Sequence, residues 1–173
     1  TLKLGSTTAF SANESAEALQ FMSQAGWTAD KSLTALKAVT NLAAAGDIEL
    51  ANAAEITTDN INAFKLEAKD AGRLADALAT GANKSSTNVT ELGTALQYAA
   101  PKAGAMGYTV EDTVKVLGHL ADVGIKGQKS GTALRAILTN ISKAENDTSK
   151  KGTEASRALK KLGVSMFDAK GKA

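Results

Sequence analysis

The sequence predicts an all-α, multi-helix globular domain, and three observations carry that prediction. Among its apolar residues Ala and Leu lead while aromatics make up only 4% of the chain, a balance that favours close helix–helix contact over a sandwich or barrel. There is a single Pro, and no apolar/polar alternation is sustained long enough for a sheet. The third is a repeat with a shift of about 81 residues. Gly26-Trp27-Thr28 falls on Gly107-Tyr108-Thr109 and Asp30 on Glu111; Leu33, Leu36, Val39 and Leu42 fall on Val114, Leu117, Leu120 and Val123. Gly46 falls on Gly127, Ile56 on Ile137 and Thr58 on Thr139, without a gap. One helical hairpin used twice is the expected organisation, with pseudo-repeats over 14–82 and 88–143 and matching hairpins at 26–59 and 107–140.

In chain order, Leu2-Lys3-Leu4 reads as the tail of an upstream element. Ser11 and Glu14 have capping-box spacing, where hydroxyl and carboxylate satisfy each other's amides. The helix they start carries Leu19, Phe21 and Met22 and stops at Gly26, with Trp27 placed to pack back on Met22. Thr28 caps the next helix, whose core face is read as Leu33, Leu36, Val39 and Ala43, ending at Gly46. Residues 47–82 predict two or three shorter helices, capped at Asp47 or at Thr58-Asp59 and ending before Gly81. Residues 83–88 read as the loop joining the two halves. Asn88 and Glu91 form a second capping-box pattern, opening a helix that Pro101 interrupts.

Gly107 then ends that helix and Thr109 caps the next, which carries Val114, Leu117 and Leu120. Gly124-Ile125-Lys126-Gly127 is a tight connection. The closing helix has Leu134, Ile137, Leu138 and Ile141 at helical spacing. Residues 145–150 read as a polar linker. An extra helix is expected over 149–163, burying Ala155, Ala158, Leu159 and Leu162. Val164, Met166 and the turn Asp168–Gly171 predict the start of a short β-hairpin over 164–173, with too little chain for its second strand. Starting at Thr1 and stopping inside that hairpin, the 173 residues are expected to be one helical domain cut from a longer chain.

Charge gives little direction. The net charge is +2, so no global field argues for nucleic acid. Residues 143–173 hold 8 basic and 4 acidic side chains, a mildly basic end that is ordinarily a solvated face. With no cysteine, disulfides and thiolate metal sites are excluded. The longest stretch free of Asp, Glu, Lys and Arg, residues 18–29, is broken by Gln20, Gln24 and Gly26 and cannot span a bilayer.

No catalytic, cofactor or metal residue is assigned. The run from Gly124 to Gly131 lacks phosphate-loop spacing and follows a helix rather than a strand. His119, the single histidine, shares a stripe with Asp112, Lys115 and Asp122 that reads as a solvated flank. Glu55, Glu67 and Glu91 are available for acid–base work, but nothing marks one as buried among aromatics, as sugar cleavage requires. Trp27 and Tyr108 read either as exposed anchors for a partner or as plugs at helix corners. The corner reading is preferred, because the position past a helix-ending glycine packs inward.

Ala25-Gly26-Trp27-Thr28, Leu42-Ala43-Ala44-Ala45-Gly46, Ala63-Phe64 and Ala75-Asp76 together resemble the core region of phage tail tape measure proteins. So do the stretches Gly107–Asp112, Gly124–Gly127 and Gly131–Arg135, and Leu162-Gly163-Val164. The resemblance covers nearly the whole chain through the order and spacing of small-residue, helical motifs. It implies a structural virion protein, made in the bacterial host cytoplasm, that occupies the tail tube, sets tail length and assists genome delivery. It also implies other tail proteins as partners (tail tube, tail assembly chaperones, tail tip), together with other copies of itself. Gly breaks and the lack of a persistent heptad make this stretch a globular section rather than a rod. A helical peptidoglycan-degrading domain and a helical interaction module unrelated to phage remain the alternatives.

Overall fold

The structure, a computed structural model, describes residues 10–146. The expectations for Leu2–Leu4, for a helix at 149–163 and for a hairpin at 164–173 lie outside the described residues. Within them the fold is all-α: α1 Ala12–Gln24, α2 Ala29–Gly46, α3 Leu50–Phe64, α4 Ala71–Lys84, α5 Val89–Ala105, α6 Val110–Asp122 and α7 Gly127–Asn146, with one 3-10 turn at Ala68–Asp70 before α4. No strand occurs among the described residues.

Local chemistry sets the helix starts. The Glu14 amide donates to Ser11 Oγ at 3.2 Å and the Ser11 amide to Glu14 Oε2 at 2.7 Å, a complete capping box. Thr28 and Thr109 accept from the Lys31 and Asp112 amides. Asn88 accepts from the Glu91 amide at 2.8 Å, but Glu91 is drawn to the Thr87 hydroxyl instead of closing the box.

Five segment readings need correction. Asp47 follows α2 in the left-handed conformation and caps no helix start, and Thr58 and Asp59 lie inside α3. α4 runs past Gly81 to Lys84, which leaves only residues 85–88 as the loop. α5 continues through Pro101. The ring costs one hydrogen bond there, but Ala99, Ala100 and Ala103 around it are completely buried, and their packing holds the helix on both sides. α7 extends through Asn146, into the expected linker.

The largest contacts join helices two places apart in the chain. α1 lies on α3, α3 on α5 and α5 on α7 along one side; α2 lies on α4 and α4 on α6 along the other. The result is two parallel stacks of helices sharing one core, a quasi-linear arrangement in which each helix meets its near neighbours. Met22, Leu36, Leu42, Leu50, Ile61, Leu74, Leu78, Leu92, Leu96 and Leu117 are among its large fully buried side chains.

Small residues let the helices approach closely. A Cβ built on Gly131 of α7 would collide with the Ala95 carbonyl oxygen of α5 and lie 2.8 Å from Tyr98 Cβ. Buried hydroxyls stay within their own helices: Thr40 Oγ1 donates to the Leu36 carbonyl at 2.7 Å and Thr58 Oγ1 to that of Ala54 at 2.8 Å. Each of these two satisfies itself one turn back, whereas the fully buried Thr57 Oγ1 of α3 has no hydrogen-bond partner.

Two members of the predicted core stripe are outside the core. Leu33 is 56% exposed and Ile137 47%. In α2 the buried positions include Ser32, Leu36, Val39, Leu42 and Ala43, so the small Ser32 takes the place next to Leu33. In α7 the face is centred on Leu134 and Leu138, and Ile137 lies on its flank. Leu36, Val39, Val114, Leu117, Leu134 and Leu138 are buried, and Leu120 and Ile141 are partly so.

Candidate functional site

The recurring local device of the fold is a helix-ending corner. After α1, Gly26 takes φ +86°; its amide donates to the Ser23 carbonyl, and the Trp27 amide to that of Met22, both at 3.0 Å. After α5, Gly107 also takes φ +86°, and the Tyr108 amide reaches the Ala103 carbonyl at 3.0 Å. After α6, Gly124 takes φ +87° and the Ile125 amide reaches Leu120 at 2.8 Å. The same bonding occurs without glycine after α2, where Asp47 has φ +48° and the Ile48 amide reaches Ala43. It occurs again after α3, where Lys65 has φ +56° and the Leu66 amide reaches Ile61. In each corner a left-handed residue satisfies the last carbonyls, and in all but the Gly124 corner, where Ile125 is 38% exposed, the apolar residue after it packs on the core.

That apolar residue is Trp27, Ile48, Leu66, Tyr108 and Ile125 in turn. Trp27 is 7% exposed, and its Nε1–H donates to Asn62 Oδ1 of α3 at 3.1 Å. It is a plug with a polar tie, not an exposed anchor. Ile48, Leu66 and Tyr108 are partly buried against the core. Gly127, with φ +55°, opens α7, whereas its repeat counterpart Gly46 closes α2. Leu42 is buried, but its counterpart Val123 is 73% exposed. A Cβ at Gly26 or Gly107 would meet no atom within 4 Å, so the cost of Gly26→Ala or Gly107→Ala is conformational alone. Urea denaturation is expected to show a loss of about 1 kcal/mol for each.

The polar cluster around His119 lines a groove of about 660 Å³ between α4 and α6, with Arg73, Asp76, Lys84, Glu111 and Lys115. Arg73 donates to both oxygens of Glu111, Nε to Oε1 at 2.6 Å and a terminal nitrogen to Oε2 at 2.8 Å. Those bonds hold the Glu111 carboxyl below its ordinary pKa and the guanidinium above its own. Both side chains are about half exposed (49% and 45%), so the pair contributes at most about 1 kcal/mol. Asp122 accepts from the Ser86 amide at 2.7 Å. The charged groups thus clamp α6 to α4 and to the loop after it. No group of three metal-ligating side chains occurs among the described residues. Of the carboxylates considered for acid–base work, Glu67 pairs with Lys69 and Glu91 with Thr87. Both are engaged locally in ordinary surface contacts.

Among the described residues no helix is long and apolar enough to cross a membrane. No solved structure matches the chain. The chain is 35% identical over 170 residues to the tape measure protein of Pneumococcus phage Dp-1, covering 98% of this chain and 14% of that protein. It is 33% identical over 169 residues to the probable tape measure protein of Escherichia phage P2, covering 98% of this chain and 20% of that protein. It therefore spans a fifth or less of the length of these relatives. The model of the phage-related minor tail protein family matches residues 1–173, and the chain belongs to that family.

Proposed function

We propose that this chain is a compact, non-enzymatic section of a tape measure protein, built into the phage tail, where the whole protein sets tail length and assists genome delivery. The observation that carries the reading is the family match across all 173 residues, supported by two relatives named as tape measure proteins. The described part adds a physical qualification: seven helices folded into stacks cannot act as an extended ruler. We further propose that its corners descend from a duplicated hairpin, supported by Gly26 and Gly107 sharing one φ value and each preceding a capping Thr. Its partners are other tail proteins (tube, assembly chaperones, tip) and other copies of itself, and its place is the virion, after synthesis in the host cytoplasm.

The test is an in-frame deletion of residues 12–146 in the phage that encodes the chain, with particles counted and tails measured by electron microscopy. As one continuous helix those residues would span about 200 Å. The expected result is a sharp loss of infectious particles, with any remaining tails shortened by far less than that. Normal yield and normal tails would overturn the structural role. A shortening close to the full helical length would overturn the compact reading.

A further inference from the structure

The row α1, α3, α5 and α7 has helices starting at residues 12, 50, 89 and 127, so one helical hairpin fills 38 or 39 residues. Counted from its start, each helix has a position that looks back along its row. The fifth residue is Ala54 in α3, Ala75 in α4, Gly93 in α5, Val114 in α6 and Gly131 in α7, and all five are buried. Each of those helices rests on the helix two places before it. A Cβ built on Gly93 would lie 2.7 Å from Ile56 of α3, and one on Gly131 would lie 2.8 Å from Tyr98 Cβ of α5. In α1 and α2 the fifth residues are Ala16 and Leu33; both are exposed, and among the described residues neither helix has a predecessor in its row. Other positions look forward. Asn60, the eleventh residue of α3, donates to the Gly93 carbonyl of α5 at 3.3 Å. The eleventh residues of α1, α3 and α5 (Met22, Asn60 and Ala99) are completely buried, but that of α7, Ile137, is 47% exposed. Ala136, which holds the place Tyr98 has in α5, is exposed as well.

We propose that the outer faces of α7 and α1 are the two halves of one junction between copies of this chain. α1 of a second copy docks parallel on α7, its Ala16 against Ala136 and Ile137, and the row continues head to tail. Two observations select a second copy. The contact repeats an interface that the fold already builds three times, α1 with α3, α3 with α5 and α5 with α7. The charges also match: α1 carries Glu14 and Glu17 and no basic residue, whereas α7 carries Lys129, Arg135 and Lys143 against Glu145 alone. In a parallel pair, the residue before the contact on one helix and the residue after it on the other share a flank. That places exposed Arg135 beside the exposed Glu17 of the second copy. Leu33 and the α6 face belong to the other row and lie outside this junction. A head-to-tail contact does not close on itself, so it strings copies in a line. The junction gives a surface to the contact between copies proposed above and rests on that reading. Its test uses purified protein, so its failure leaves the tail role standing.

The chain has no cysteine, so single cysteines in the full 173-residue protein can test the junction. Ala16→Cys and Ala136→Cys both replace small exposed residues. Under mild oxidation, a mixture of the two variants is expected to form its mixed disulfide dimer about tenfold faster than either variant forms its own. Adding Arg135→Glu to the Ala136→Cys chain should slow the mixed dimer about tenfold, and adding Glu17→Arg to the Ala16→Cys chain should then restore it. Equal rates for mixed and like pairs, or no dimer at all, would overturn the proposal. A fast dimer of Ala136→Cys with itself would also overturn it, and would mean that two copies meet face to face through α7. Cross-linking that ignores the charge exchange would overturn the pairing of Arg135 with Glu17 and, with it, the register.

Discussion

Replacing Gly131 with Ala is expected to destabilise the protein by about 3 kcal/mol, which corresponds to a fall in thermal midpoint of roughly 6–12 °C for a chain of this size. The added methyl meets the Ala95 carbonyl oxygen and the backbone carbon behind it, at 2.9 Å, rather than the far end of a flexible side chain. A side chain could rotate away; a carbonyl inside α5 cannot move without disturbing its helix. The two helices must therefore separate, and α5 with α7 is the largest helix–helix contact among the described residues. Separation also lifts Leu134 and Leu138, each 5% exposed, off the core. Thr132→Ala, at the exposed next position, is the control and is expected to leave the midpoint unchanged. If the Gly131 variant melts with the parent, α5 and α7 are further apart than described.

The sequence reading succeeded where a residue type has one local use. Ser11 with Glu14, Thr28, Thr109 and the glycines at 26, 107 and 124 all act within one turn of themselves, so their spacing sufficed. Asp47 and Lys65 perform the same helix-ending task with side chains that tolerate the left-handed conformation less readily, and nothing in their identity announced it. Leu33 was misplaced because apolarity stood in for burial. The geometry puts Ser32 inside, which its hydroxyl permits by donating to the Thr28 carbonyl at 3.1 Å. Gly131 was visible only as part of a familial small-residue motif; its role depends on which helix lies opposite. That pairing of helices two places apart is a long-range property and leaves no mark in local periodicity. The candidate site was legible to the same extent: its corners could be read, whereas the clamp between Arg73 and Glu111, 38 residues apart in the chain, could not.

Leu96→Ala is expected to cost about 3–5 kcal/mol, a large share of the stability of any domain this size. Leu96 is fully buried in α5, the helix that touches α3, α4, α6 and α7. Leu33→Ala and Ile137→Ala, at exposed positions, are expected to stay within about 0.5 kcal/mol. The stronger expectation concerns cooperativity. In a quasi-linear stack, a cavity at one layer weakens the coupling between the helices on either side of it. Trp27, the single tryptophan, sits in the α1–α2 corner and bonds to Asn62 of α3, so its fluorescence follows the N-terminal half. Circular dichroism follows all helices together. In the parent chain the two signals should give one urea midpoint. In Leu96→Ala the dichroism midpoint should fall below the fluorescence midpoint, as α6 and α7 lose their support first. Transitions that remain coincident while both shift by the full amount would mean that the helices behave as a single cooperative unit, and that the stacked layers have no independent thermodynamic meaning.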